Sequence, residues 1–217
     1  MPRTRHYADE IELTEASRPI ALVTGGGSGI GAACARRLAA DGFAVAVCDL
    51  DLDSAASVTG ECGPDALAIA VDVSDEASVQ HMMDVVAAMP GVLTAAVNSA
   101  AIADNGGPIA ECDFAYWRRV LAVDLDGVFL CLRAELRSML ASGTTGSITS
   151  IGSVLGLRGH AAVPTYTTAK HALIGLHRSA ARAYSGQGIR ANVVCPGYIH
   201  TPMLDDRMDD ERMARLI

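Results

Sequence analysis

The chain is predicted to fold as an α/β doubly wound parallel sheet flanked by helices on both faces, and three observations carry that expectation. From Pro19 onward short aliphatic runs alternate with helical patterns, the order that feeds right-handed crossovers between parallel strands. Apolar residues make up 50% of the chain but aromatic ones only 4%, so the core must be built from Ala, Val, Ile and Leu. Such cores suit strands buried on both faces. Finally, 217 residues suffice for one domain with a substantial core, and 19% charged residues exclude a disordered chain.

Residues 1–18 are polar and are expected to lie outside the fold as an N-terminal extension, with one domain over 19–217. Ile20–Thr24 reads as the first strand, followed by the glycine cluster Gly25–Gly31 and a helix through Ala40. Asp41-Gly42 ends it, because glycine accepts the left-handed conformation that closes a helix. Phe43–Cys48 is the second strand and stops at Asp49. Ala66–Val71 is the third. Ser74 then fits an N-cap, with Asp75 and Glu76 favourably placed in the first turn of a helix reaching Met89. Pro90-Gly91 breaks that helix before a fourth strand, Val92–Val97, which ends at Asn98. Asp113 caps a long helix over Phe114–Leu140. Gly146–Ile151 is the fifth strand, Thr165–Tyr184 a helix, and Arg190–Cys195 the sixth strand, ended by Pro196-Gly197.

The bulk chemistry excludes several functions. A net charge of −8 argues against nucleic-acid binding, which needs cations to offset phosphate repulsion. No apolar run approaches membrane-spanning length, and the N-terminus lacks the apolar centre of a secretion signal, so a cytoplasmic protein is expected. The six cysteines show no C-x-x-C pairing and the histidines no zinc spacing, so no metal is indicated. Cys48 and Cys195 lie in aliphatic runs and read as small buried hydrophobes.

Two regions carry chemistry. Thr24-Gly25-Gly26-Gly27-Ser28-Gly29-Ile30-Gly31 joins a strand to a helix, where glycines let the backbone approach a pyrophosphate and the helix N-terminus offers unpaired N–H groups. Asp49 ends the second strand roughly 20 residues later, where a carboxylate can accept hydrogen bonds from ribose hydroxyls. That charge repels a 2′-phosphate, and neither Ser28 nor Leu50 supplies the cation such a phosphate would want. NAD is therefore expected over NADP. Asp49 could instead only cap a turn in an acidic stretch with Asp51 and Asp53. The second region is Tyr166-Thr167-Thr168-Ala169-Lys170, which starts a helix and places phenol and ammonium on one face. An ammonium beside a phenol favours the phenolate, and Ser153 sits at the end of the fifth strand, where parallel sheets carry ligand sites.

Taken together over residues 19 to 203, these motifs resemble the short-chain dehydrogenase/reductase family, whose fold is a Rossmann-like sheet. The Thr24–Gly31 loop, Asp72-Val73, Asn98-Ser99-Ala100-Ala101, Ser153, Tyr166/Lys170, and Pro196-Gly197 with Ile199 and Thr201 all occur in family order. The resemblance implies hydride transfer between a nicotinamide cofactor and an alcohol or carbonyl carbon of a small-molecule substrate. It makes Tyr166 the general acid or base, has Lys170 favour the phenolate and hold the nicotinamide ribose, and has Ser153 polarise the reacting oxygen. It gives Asp72 the adenine with Val73 packed nearby. It has Asn98 support the strand beside the cofactor, leaves room at Ala100, and sets Thr201 against the nicotinamide amide or the phosphates. Asp124 stands where many relatives carry Asn as a fourth catalytic member, so an altered pH profile is expected.

The family would also supply a further helix and a seventh strand, so the sequence is expected to be a truncated version of the protein or, less favoured, an unusually short member lacking its C-terminal strand. A homo-oligomer, tetramer or dimer, is expected on the same ground. The substrate loops, Ala103–Glu111, Val154–Pro164 and Tyr198 onward, leave the substrate open among 3-oxoacyl-carrier-protein-reductase-like, sugar-alcohol and steroid-like types. Arg158 and His160 in the second loop either touch substrate or are solvated. The alternative from another class is a non-catalytic nucleotide-sensing or scaffold protein of the same fold; the intact Ser153, Tyr166 and Lys170 argue against it.

Overall fold

A computed structural model describes residues 18–103 and 106–205; the expected N-terminal extension, but for Arg18, and the last residues of the chain lie outside them. Six parallel strands form one sheet, β1 Pro19–Thr24, β2 Ala44–Asp49, β3 Leu67–Ala70, β4 Val92–Asn98, β5 Gly146–Ile151 and β6 Ile189–Val194, in the order β3-β2-β1-β4-β5-β6. The order reverses between β1 and β4, which opens a crevice beyond the carboxyl ends of those strands. The seventh strand implied by the resemblance has no counterpart among the described residues.

The helices are α1 Gly29–Ala40, α2 Leu52–Cys62, α3 Glu76–Ala88, α4 Phe114–Leu121, α5 Val128–Ser142, α6 Pro164–Tyr184 and the short α7 Pro202–Asp205. Strand alternation divides the core between two faces. In β1, Ile20 and Leu22 pack with Val79, Met82, Leu132 and Met139 of α3 and α5. Ala21 and Val23 point the other way, onto Ala32, Ala35, Ala55 and Val58 of α1 and α2. Gly42 (φ +96°) turns the chain out of α1, with the Gly42 and Phe43 amides donating to the Ala39 and Leu38 carbonyls. This is the glycine stop that the sequence predicts.

Asp49 Oδ1 accepts from Asp51 N, and Asp51 in turn accepts from the Asp53 and Ser54 amides and starts α2. The expectations for two later helices need correction. The cap of α3 is Asp75, which accepts from Ala77 N, whereas the Ser74 hydroxyl turns back to Asp72. The predicted single helix over 114–140 is two α-helices joined by a π-turn at Ala122–Gly127. π-turns interrupt helices frequently at functional sites, and this one carries Asp124. Cys48 is fully buried, as expected, while Cys195 falls just past β6 and is only half-buried.

Candidate active site

The carboxyl ends of all six strands open onto one cleft of about 520 Å³. At its dinucleotide end the glycine loop is laced to β2: Gly26 N donates to the Cys48 carbonyl and Gly27 N to Asp49 Oδ2, both at 2.9 Å. The loop fits only glycine at two points. Gly25 has φ +62°, and a Cβ on it would lie 2.6 Å from Ala100 N; a Cβ on Gly31 would lie 2.0 Å from the Gly25 carbonyl oxygen. The backbone of the loop is therefore pressed between β4 and the first turn of α1, whose leading amides have no partner within the helix. Asp49, Leu50, Asp72 and Val73 continue the wall. This cradle fits a dinucleotide pyrophosphate and its adenosine half.

At the other end, Ser153 follows β5 and caps a tight turn, its Oγ accepting from Leu155 N at 3.1 Å. The hydroxyl proton is then available to donate elsewhere. The turn packs on α6 so closely that a Cβ on Gly156 would sit 2.7 Å from the Lys170 carbonyl, which brings Ser153 to the face bearing Tyr166 and Lys170. Lys170 is 2% exposed and Asp124 0%. The ammonium donates to the Ile151 carbonyl at 3.2 Å, forms an ion pair with Asp124 Oδ2 at 3.4 Å, and lies 5.2 Å from the centroid of the Tyr166 ring. Asp124 Oδ1 accepts from Ile102 N at 2.8 Å. A buried charge must be paired or it is strongly destabilising; here the π-turn supplies the pair.

Most of the sequence-predicted residues line this cleft, among them Gly25, Ser28, Gly29, Ile30, Ala100, Ser153, Tyr166, Lys170, Pro196, Gly197, Ile199 and Thr201. Four stand behind the wall instead. Gly27 and Gly31 shape the loop through the contacts above. Asp124 contacts Lys170 and Ile102. Asn98, expected to support the strand beside the cofactor, is 2% exposed and buried: its Nδ2 donates to Glu135 Oε2 at 3.0 Å, and its Oδ1 accepts from Thr24 Oγ1 at 3.4 Å. Sequence reasoning missed Glu135. Burial pushes its carboxyl up to about 7, the Asn98 hydrogen bond pulling the other way. Burial likewise pushes the neighbouring Cys48 and Cys131 thiols up, with Glu135 adding to the shift. A glutamate on an apolar stripe with Leu132, Leu136 and Met139 was the available signal. The substrate end also takes in His160, Val163, Tyr198, Met203 and Leu204 of the two expected substrate loops; of the pair Arg158 and His160, only His160 lines the wall.

Geometry of this kind fits a dinucleotide-binding oxidoreductase. The comparisons with known proteins agree: the short chain dehydrogenase family matches residues 19–212, and the chain belongs to that family. Cis-4-hydroxycyclohexanecarboxylate dehydrogenase of Sinomonas cyclohexanicum is 45% identical over 187 residues, covering 85% of this chain and 75% of the relative. A 2,5-dichloro-2,5-cyclohexadiene-1,4-diol dehydrogenase of Sphingobium indicum is 37% identical over 199 residues, covering 92% and 80%. The crystal structure of levodione reductase superposes with a TM-score of 0.81 at 36% identity, covering 87% of this chain and 74% of that one. Among the described residues no helix is long and apolar enough to cross a membrane, and no cluster of His, Cys, Asp or Glu could hold a metal ion.

Proposed function

We propose that the protein oxidises a secondary hydroxyl on an alicyclic ring, or reduces the corresponding ring ketone, with NAD(H), using Tyr166 as general acid/base. The observation that carries this reading is the buried Lys170 ammonium, fixed by Asp124 and Ile151 and facing the Tyr166 ring inside a cleft that continues to the glycine loop. When bound, the nicotinamide supplies the hydride acceptor or donor. In the oxidative direction Tyr166, as phenolate, takes the hydroxyl proton while the carbon gives up its hydride and the carbonyl forms. Lys170 stands 5.2 Å from the ring centroid and orients the phenol, and Ser153 donates its hydroxyl proton to the reacting oxygen, where negative charge develops.

Asp49 supports NAD. Its two oxygens accept from Gly27 N and Asp51 N, and a carboxylate keeps further lone pairs for ribose hydroxyls while repelling a 2′-phosphate. An alicyclic substrate is supported by the ring alcohols named for two of the relatives and by the wall of Ile102, Val154, Leu155, Val163 and Met203. The test is a fluorescence titration with NADH and NADPH, followed by assays on cyclohexanol and 4-hydroxycyclohexanecarboxylate. NADH is expected to bind more tightly, and Tyr166→Phe to keep that affinity while kcat falls by about 10²–10⁴. Tighter NADPH binding refutes the Asp49 argument, and undiminished kcat in Y166F refutes the role of the phenol.

A further inference from the structure

The helical run that carries Asp124 also carries a second buried carboxyl that the chemistry above does not use. Glu135 is 0% exposed and occupies a position where the apolar stripe of α5 would accept leucine. Burying a polar group in such a place is unfavourable unless it is satisfied, so the contacts that it makes define its use. Oε2 accepts from Asn98 Nδ2 at 3.0 Å, while Oε1 has no hydrogen-bond partner among the described residues. The groups facing it are Asn98 on β4, Cys48 on β2 and Cys131 one turn earlier on α5, none of them a cation.

Asn98 stands where β4 becomes the inner wall of the cleft. Its Oδ1 accepts from Thr24 at the end of β1, and the next amide, Ser99 N, donates to the Thr24 carbonyl at 3.1 Å. Ala100 N then lies against Gly25, and Ile102 N donates to Asp124. The segment 98–102 is thus staked at both ends by carboxyl groups from one continuous helical run, Glu135 at its start and Asp124 at its finish. Between the stakes, Ser99, Ala100 and Ala101 line the cleft.

We propose that Glu135 is a positioning residue: by holding Asn98 it fixes the Ser99–Ala101 backbone against Gly25, and so sets how tightly the cleft holds the dinucleotide. This rests on the cofactor reading above. The acceptor oxygen is the working atom, so glutamine serves in its place and leucine, of similar size, does not.

Two readouts test it: amide hydrogen exchange of the ligand-free protein and NADH affinity by fluorescence, for the wild type, Glu135→Gln, Glu135→Leu, Asn98→Ala and the N98A/E135L double variant. In E135L the Ser99–Ile102 amides are expected to exchange at least about tenfold faster while β1 keeps its protection. NADH should bind about tenfold more weakly, the scale of one lost buried hydrogen bond. E135Q should match the wild type on both counts, and the double variant should bind no worse than N98A. Unchanged exchange in a folded E135L overturns the proposal; so does a loosened segment with wild-type affinity, or an E135Q as impaired as E135L. If E135L does not fold, N98A, which breaks the same bond from the strand side, must show both effects or the proposal fails. A wild type that binds neither NADH nor NADPH overturns the cofactor reading and the affinity claim with it, while exchange in the ligand-free protein separately decides whether Glu135 holds the segment.

Discussion

As pH rises from 4.5 through 7 the Glu135 carboxyl is expected to cost the fold a growing share of its stability, and Glu135→Gln removes that cost. In the unfolded chain this side chain titrates near 4.5; in the folded protein burial raises it to about 7. The folded state therefore holds a proton that the unfolded state releases, and stability falls wherever that difference exists. The contribution is fully present below pH 4.5, declines as pH rises, and is gone once pH has passed through 7. The gap corresponds to about 3 kcal/mol. The protonated acid and the amide are nearly isosteric, each presenting an acceptor to Asn98, so the two proteins should be close in stability at pH 5. At pH 8.5 the glutamine variant should be more stable by about 3 kcal/mol, or about 6–12 °C in melting temperature for a chain of this size. Denaturant melts of both proteins at pH 5, 6.5, 7.5 and 8.5 measure it, and other titrating groups cancel in the difference. Parallel loss of stability in the two proteins would refute the assignment of a neutral buried acid.

His177 should act on the opposite limb. Its Nδ1 donates to the Leu173 carbonyl at 3.0 Å and burial lowers its pKa, so the stability it contributes is present above pH 6.5 and lost as pH falls through the lowered value. His177→Gln should flatten the drop in melting temperature between pH 7 and pH 5. Gly31→Ala drives a methyl to 2.0 Å from the Gly25 carbonyl and should cost at least about 1–3 kcal/mol together with dinucleotide binding. Gly60→Ala, in α2 with nothing within 4 Å of its Cβ, should gain about 0.5–1 kcal/mol; chemical denaturation compares the pair. Asp124→Ala strands the Lys170 ammonium and the Ile102 amide and should destabilise by about 3–5 kcal/mol. Asp124→Asn, which keeps an acceptor for Ile102, should lose clearly less in the same melts.

The sequence made the parallel sheet legible because its strands are short and aliphatic and its glycine and proline stops are sharp; strand ends fall within a residue of their expected places. Ser153, Tyr166 and Lys170 were legible because helical spacing brings the last two together. What stayed hidden depends on contacts between distant segments. Asp51 looks like one acid in a run until its carboxylate meets the Asp53 and Ser54 amides. Ser74 and Asp75 are equally good caps by type, and the pull of Asp72 on the Ser74 hydroxyl decides between them. The Phe114–Leu140 pattern reads as a single helix because a π-turn leaves no composition signal. Asn98 reads as a support for the strand beside the cofactor, but its buried partner Glu135 lies 37 residues away in the chain.

The wide turn at Ala122–Gly127 also sets the phase of everything around it. An α-helix rotates about 100° per residue, so a regular helix through this stretch could not present both of its halves correctly. Either α4 would lose its seat against α6, or the stripe bearing Glu135 and Leu136 would swing off the sheet. The extra residue works as an angular spacer between two surfaces cut for different partners. Deleting Ala122, whose side chain is no part of the cleft wall, would dial one half out of step with the other.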